Sequence, residues 1–319
     1  MSLTLRRPTA GDAEAVAALR NAVSISEMGT GHTDAGEVHR EFTLPGHDLE
    51  HDEWLVCDGD ILVGNVNLHS AQPFTRVFME GYVHPDHCGR GIGTTLLRLG
   101  IERADELADL AAPGEEVVAV HPLPVSASVA IDFLQRNRFE PVRWFDRMVV
   151  DLDEPTAAPI WPEGIAVRKA ADGVDCRALY EAETEAFRDH FGAFAFDFKE
   201  WRHWMIDDNE RFDPELWWAA VDGEQIVGSC LGFVGFPEDE SSAWVDSISV
   251  LRPWRRRGLA FALLLEAFGG FRQRGLRRAA LDVDSESLTG ATGLYEKAGM
   301  RVIRRTVQMQ REVRPAAGA

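Results

Sequence analysis

Lysine is nearly missing from this 319-residue chain. It occurs only at Lys169, Lys199 and Lys297, while arginine is abundant. That bias points to a GC-rich genome and carries no functional information. Cysteine is also scarce: the four residues Cys57, Cys88, Cys176 and Cys230 are scattered without Cys-x-x-Cys spacing. This argues against a disulfide framework and predicts free thiols in a reducing compartment. No apolar run reaches the roughly 18 residues a membrane helix needs. The first residues, Met1 to Pro8, lack the apolar core of a secretory signal, so a cytoplasmic location is expected. Positive charge is in deficit, with 33 Lys and Arg against 52 Asp and Glu, a net charge of −19. That argues against general binding to nucleic acid or anionic membrane, and favours solubility or cationic partners. It does not exclude an anionic cofactor, because exposed charges are screened beyond about 8 Å at physiological salt. The apolar fraction of 45% is ordinary for a globular protein, and the length suits one large or two ordinary domains.

The two commonest phosphate motifs are absent: there is no P-loop, and no Gly-x-Gly-x-x-Gly opening a βαβ unit. A third arrangement is present. A strand-like run from Ala243 to Val250 leads into Leu251, Arg252, Pro253, Trp254, Arg255, Arg256, Arg257, Gly258, Leu259 and Ala260. An apolar run with helical spacing follows, to Phe268. Strand, basic glycine-bearing turn and helix together make an anion cradle. A helix N-terminus leaves backbone N–H groups unpaired and carries about half a positive charge. Gly258 lets an anion approach the backbone, and three arginines add charge and donors. The plain alternative is an ordinary β–α turn with a solvated basic edge.

Self-comparison shows that the chain repeats. Leu3 to Asp12 returns as Ile165 to Asp172. Trp54 to Gly64 returns as Trp218 to Gly228, each a hairpin with an Asp-Gly turn. Gly64 and Gly228 are expected at a bulge or bend. Val83, Cys88, Gly89, Arg90, Gly91, Ile92, Gly93 and Thr94 return as the cradle above. The stretch from Ile131 to Phe139 returns as Thr292 to Met300. Each copy reads strand, helices, hairpin, strand, cradle helix, strand, helix, strand. Val117 to Val120 and Ala279 to Val283 are the strands expected after each cradle helix. The proposed division is 1–152, a proline-rich linker at 153–163, and 164–315.

The pattern Arg255-x-x-Gly258-x-Ala260 after a strand resembles the acyl-CoA pyrophosphate loop of the GCN5-related N-acetyltransferases, the GNAT family. The resemblance spans nearly the whole chain in two copies. It implies an α/β fold of two tandem GNAT-like domains, each a mixed, mostly antiparallel central sheet flanked by helices. Phe187 to Gly192, followed by Trp201, also resembles a segment of actinobacterial tandem members, including relatives of mycothiol synthase.

The resemblance implies an acyl-CoA-dependent N-acyltransferase. It implies transfer of acetyl from acetyl-CoA to a primary amine of a small molecule. Readings kept beside it are acetylation of a cysteinyl amine, of a protein N-terminus or lysine, and a non-catalytic acyl-CoA sensor. Cofactor contacts are expected from Val250, Leu251, Arg255, Arg256, Arg257, Gly258, Leu259 and Ala260. Ser287 is added in place of an asparagine often seen there. In active family members a tyrosine on the last helix protonates the departing thiolate. Tyr295 matches that position and Leu134 occupies it in the first copy, so the second copy is expected to be catalytic. Tyr295 also reads as a core aromatic. A second candidate cofactor site runs from Val83 through Cys88 to Thr94, with Cys88 where Arg255 stands in the other copy. Asp246, given the same strand parity as Ile248 and Val250, is the expected base; its alternative is a solvated strand face. Glu185, Asp189 and His190 are second choices for base or substrate binding. The loop with His32, His39, His47, His51, Asp48 and Asp52 fits no tetrahedral metal template and reads as polar surface. Glu37, Glu41, Glu50 and Glu53 read as a solvated acidic face. Trp201, Trp204, Trp217 and Trp218 either line an acceptor pocket or pack the core. No metal and no nucleic-acid or membrane partner is expected, and oligomeric state is left open between monomer and homodimer.

Overall fold

The computed structural model describes residues 3–192, 197–207, 209–236, 239–287 and 290–318. In chain order the first half gives β1 (Leu3–Arg6), α1 (Ala13–Met28), α2 (Ala35–Phe42), α3 (Leu49–Asp52), β2 (Glu53–Asp58), β3 (Ile61–His69), β4 (Arg76–Val83), α4 (Ile92–Ala108), β5 (Val117–Pro124), α5 (Ser128–Arg136) and β6 (Glu140–Asp151). The second gives β7 (Ile165–Lys169), α6 (Cys176–Phe187), α7 (Phe198–Met205), β8 (Phe212–Asp222), β9 (Gln225–Phe236), β10 (Asp239–Val250), α8 (Leu259–Gln273), β11 (Arg278–Asp284), α9 (Ala291–Lys297) and β12 (Arg301–Arg314). The order matches the repeat read from the sequence. Both hairpins turn at Asp-Gly, with Gly59 and Gly223 at positive φ (65° and 61°), the conformation that a type II′ turn demands at its first central residue.

The chain forms two compact units. One comprises Met1–Arg143, Arg202–Asn209 and Thr306–Ala319; the other comprises Trp144–Trp201 and Glu210–Arg305. In the N-terminal unit β1 through β4 pair antiparallel in sequence order, β4 pairs β5 in parallel, and β5 takes β12 antiparallel. In the C-terminal unit β7 through β10 pair antiparallel, β10 pairs β11 in parallel, and β11 takes β6 antiparallel. The two sheets share one topology. Each is closed by the final strand that the other half of the sequence encodes, so neither unit is continuous in sequence.

In the C-terminal unit the core lies between the sheet and α8. Leu259, Leu263, Leu264, Phe268 and Phe271 of α8 are buried against Trp218, Val227, Ala243 and Leu281. Each such side chain contributes roughly 1.5–3 kcal/mol when fully buried. The bulges expected at Gly64 and Gly228 are present one residue earlier, where the registers shift between Val56 and Cys57 and between Ala220 and Val221. Gly228 itself is required by close approach: a Cβ there would lie 2.7 Å from the Ser249 carbonyl oxygen.

Two sequence expectations are corrected. Glu53 is 1% exposed and accepts from Asn65 Nδ2 at 2.8 Å. Glu41 pairs with the buried Arg20 at 2.7 Å. These two carboxylates therefore face inward, whereas Glu50 is exposed. Likewise the His47 side chain is buried, 3.8 Å from Asp52 and 3.7 Å from Glu53. A charge run read along the sequence cannot show which members fold under a helix.

Candidate active site

The cradle of the C-terminal unit is built at the end of β10. A turn at Arg252–Trp254 leads to Gly258, which sits at φ +84° as the N-cap of α8. A Cβ at Gly258 would meet nothing within 4 Å, so the space before the helix is open. Among the described residues, the N–H groups of Gly258, Leu259 and Ala260 receive no backbone carbonyl. They are the unpaired donors of a helix start. The side chains of Arg256 and Arg257 are exposed beside them and have no ion-pair partner among the described residues. Arg255 is different. Its Nε donates to Val250 O at 3.0 Å and its Nη2 to Ala186 O at 2.7 Å. Arg255 thus braces the loop against the end of α6, with two of its three guanidinium nitrogens bonded to main-chain carbonyls. Ser287 lies in the turn after β11, its N–H bonded to Asp284 O at 3.0 Å.

Upstream, β10 carries a β-bulge. Val245 pairs Gly232 and Ser247 pairs Leu231, leaving Asp246 as the extra residue. The bulge breaks the strand parity assumed in the sequence reading. Ala243 and Val245 pack into the core before it, and Ile248 and Val250 pack against that core after it. Asp246 is therefore set off from both rows, as bulges do to re-aim a side chain. Its side chain reaches solvent, yet it is crowded by protein. That desolvation pushes its carboxyl up to about 6, partly offset by a hydrogen bond from the Trp244 side chain.

Pairing between β10 and β11 ends at Trp244 and Ala280, and the two strands splay beyond it. Leu251 N–H bonds Val227 O on the β9 side at 2.9 Å. Strand alternation then turns the N–H groups of Ile248 and Val250 toward the splay. Tyr295 of α9 is 7% exposed. Its hydroxyl has no hydrogen-bond partner among the described residues, and burial raises its pKa well above the ordinary tyrosine value, with buried Cys230 of β9 adding to the effect. It stays protonated and free to donate.

Glu183, which the sequence reading did not single out, lies behind this site. It is buried on α6; its Oε2 accepts from Trp201 Nε1 at 3.3 Å and its Oε1 accepts from the Ser247 hydroxyl. Burial raises its carboxyl to about 8, with the neighbouring charge of Asp246 adding to the effect. A signal was available. Leu179, Ala182, Glu183 and Ala186 form the buried i, i+3, i+4, i+7 stripe of α6, so a helical wheel places a carboxylate on the apolar face.

Of the second-choice residues, Asp189 and His190 lie by the cradle turn and Glu185 does not. Glu185 is exposed and pairs with Arg188 at 3.0 Å. Asp189 is gripped by both donors of Arg252, which lowers its pKa, and lies 3.8 Å from Arg255. It helps anchor the cradle turn. His190 packs edge-on to Phe187 at 4.6 Å, and burial followed by the charge of Arg255 lowers its pKa. Among the tryptophans, Trp218 stands over Phe271 in the core. Trp217 contacts Trp201, Phe212 and Phe233.

The N-terminal unit repeats the cradle and alters everything around it. Gly89 and Gly91 sit at φ +77° and +80°, and Gly91 caps α4. Arg90 is tied to Asp58 at 2.6 Å and to His87 at 2.7 Å, and Cys88 is exposed with its Sγ 3.7 Å from His84 O. Strand β4 pairs β3 from Gly64–Val83 to His69–Phe78 without a bulge. Its splay from β5 is bridged: Gly81 N–H donates to His121 Nε2 at 3.2 Å. Leu134 is buried at the position of Tyr295.

Family comparison agrees with this architecture. The acetyltransferase (GNAT) family profile matches residues 176–300, and an acetyltransferase (GNAT) domain profile matches residues 2–130. Mycothiol acetyltransferase of Thermobispora bispora is 31% identical over 255 residues, 77% of this chain and 78% of that one. The chain belongs to the GNAT acetyltransferase family. As a tandem GNAT protein it is an acyl-CoA-dependent N-acyltransferase. Mycothiol acetyltransferase of Streptomyces avermitilis is 28% identical over 302 residues, 93% of this chain and 90% of that one. A GCN5-related N-acetyltransferase structure from Sphaerobacter thermophilus superposes with a TM-score of 0.79 at 37% identity, over 99% of this chain and 98% of that one. A tandem GNAT protein from the clavulanic acid pathway shares the fold, with a TM-score of 0.70 at 16% identity, over 99% of this chain and all of that one. No helix among the described residues of this GNAT protein is long and apolar enough to cross a membrane.

Proposed function

We propose that this GNAT protein transfers acetyl from acetyl-CoA to a primary amine of a small molecule, and does so in the C-terminal unit. The observation that carries the reading is the splay beyond Trp244 and Ala280. There the bulge, the free N–H groups of Ile248 and Val250, the open cradle at Gly258 and the unpartnered Tyr295 hydroxyl belong to one strand pair and its following helices. The cradle fits an anionic cofactor: open space before Gly258, unpaired N–H donors and two exposed cations are complementary to a pyrophosphate. When bound, acetyl-CoA supplies the thioester acyl group.

The residues divide the work. Gly258, Leu259 and Ala260 hold the pyrophosphate through N–H groups, with Arg256 and Arg257 adding charge. Asp246, directly or through water, takes a proton from the acceptor ammonium so that the nitrogen lone pair is free. The N–H groups of Ile248 and Val250 face the developing oxyanion. Tyr295 delivers its proton to the departing sulfur.

A second reading narrows the acceptor to a cysteinyl amine, and the name shared by the mycothiol acetyltransferase relatives favours it. The test is acetyl-CoA turnover with a cysteinyl-glycoside amine, a polyamine and an aminoglycoside, following release of the CoA thiol. Faster release with the cysteinyl amine supports the narrower reading. Equal, background rates with every amine, despite bound acetyl-CoA, favour a non-catalytic acyl-CoA sensor.

A further inference from the structure

Among the described residues, Glu183 is the one buried carboxyl beside the bulge that the proposed reaction does not use, and its surroundings give it a task. It comes from α6, whereas Ser247 comes from β10 and Trp201 from α7. Its two oxygens accept one hydrogen bond from each. Ser247 directly follows Asp246, the extra residue of the bulge. The bulge is therefore clamped from behind at the residue next to the proposed base. The other ionisable groups facing Glu183 are Asp246 on β10 and Cys230 on β9, with Tyr295 of α9 beyond Cys230. None carries a positive charge, and among the described residues no cation is one of the groups that shift it. A buried carboxyl without a cationic partner is held neutral by preference.

The corresponding layer of the N-terminal unit is built differently. There α1 supplies Arg20, 1% exposed, paired with Glu41 and 5.3 Å from the Tyr82 ring. A guanidinium faces an unbulged strand, where the C-terminal unit has a carboxyl facing a bulge. The Glu183 clamp is thus particular to the unit with the bulge.

We infer that Glu183 is a positioning residue of the acyl-transfer site, which holds Ser247 from the buried side and so fixes the bulge that aims Asp246, while sharing the local proton balance with Asp246. This rests on the reading of Asp246 as the base. When Glu183 is neutral, one negative charge occupies the pair and resides on Asp246, ready to accept the ammonium proton. When Glu183 ionises, two negative charges lie near the bulge and the clamp carries a buried charge.

The test reads the Trp201 indole directly and needs no acceptor. In protein labelled with 15N-tryptophan, the indole N–H resonance of Trp201 is identified by its loss in Trp201→Phe and followed from pH 5 to 10. A titration with a midpoint near pH 8 is expected. It disappears in E183Q, and in D246N its midpoint falls, because removing the neighbouring negative charge makes Glu183 easier to ionise. A resonance that does not titrate, or that titrates alike in wild type and E183Q, overturns the inference. So does an unchanged midpoint in D246N, since the carboxyls then do not sense each other. S247A is the second variant, in case E183Q does not fold. With CoA binding intact, S247A is expected to lower acetyl-CoA turnover severalfold and to shift the acid limb of its pH profile. Turnover and limb both unchanged in S247A overturn the clamp. Asp246 is judged separately: a D246N protein that keeps its turnover removes the reading of Asp246 as base, whatever the indole of Trp201 reports.

Discussion

The backbone N–H of Gly81 is bonded to the imidazole Nε2 of His121, at 3.2 Å. This is the N–H that, in the repeat, corresponds to that of Ile248. Nε2 must present a lone pair, so Nδ1 carries the proton and donates to Pro122 O at 3.1 Å. Burial lowers the pKa of His121 and keeps that neutral form. The donor aimed at the splay is engaged in one unit and has no partner among the described residues in the other.

If the free donors and Tyr295 form the working site, Tyr295→Phe should lower CoA thiol release severalfold or more and leave CoA affinity nearly unchanged. Proton delivery by a positioned side chain is worth about 10²–10⁴ in rate. Stopped-flow thiol release and calorimetric CoA titration give the two numbers. Equal rates in wild type and variant would remove Tyr295 from the reaction.

Gly258→Asp places a carboxylate among the N–H groups of the cradle and forces a non-glycine residue to φ +84°. The backbone strain alone costs about 1–2 kcal/mol. The number of acetyl-CoA molecules bound per chain, counted by native mass spectrometry, should fall by one. A count that stays the same places the pyrophosphate elsewhere.

The carboxyl of Asp246, raised to about 6, predicts kcat/KM rising through about pH 6 as the base ionises. D246N should flatten that limb. Glu183 acts on stability with the opposite sign. Its folded pKa of about 8 lies above the unfolded carboxyl value, so its contribution is complete below about pH 4.5 and is lost as pH rises toward 8. Chemical denaturation of wild type should lose up to about 1.4 kcal/mol per pH unit across that window from this group. The part of the loss between about pH 6 and 8 should be absent in E183Q, while the part below about pH 6 that Asp246 contributes is retained.

Arg20→Met should destabilise the N-terminal unit by about 3–5 kcal/mol, because it leaves Glu41 without its partner in a buried setting. Replacing Arg20 and Glu41 together by apolar residues should cost less than the single change. Denaturant titration of both variants measures the difference.

Two adjacent glycines of α8 should respond oppositely to alanine. A Cβ at Gly269 meets nothing within 4 Å, whereas at Gly270 it runs into the ring of Trp218. Gly269→Ala should gain up to about 1 kcal/mol from helix propensity. Gly270→Ala should lose about 1–3 kcal/mol through overpacking. Thermal melts separate the two.

The local fold was readable in the sequence. Asp-Gly between apolar runs specifies a hairpin whatever surrounds it, Gly258 before an apolar helical run specifies a helix start, and four landmarks repeating in order specify two copies of one fold. Gly258 could be singled out because it stands at a fixed offset within such a local pattern, and Tyr295 because it matches the tyrosine that the resemblance to the GNAT family implies on the last helix. Tertiary structure alone decided the rest. A β-bulge exists only relative to a partner strand, so the parity that grouped Asp246 with Ile248 and Val250 held in the sequence and failed in the sheet. The last strand of each copy pairs in the unit of the other, because strand pairing is set by long-range edges and not by chain order. Whether a backbone N–H is free depends on what approaches it. His121 and Gly81 stand 40 residues apart, and Glu183 and Ser247 stand 64 apart. No local pattern records either approach, and these approaches distinguish the two units.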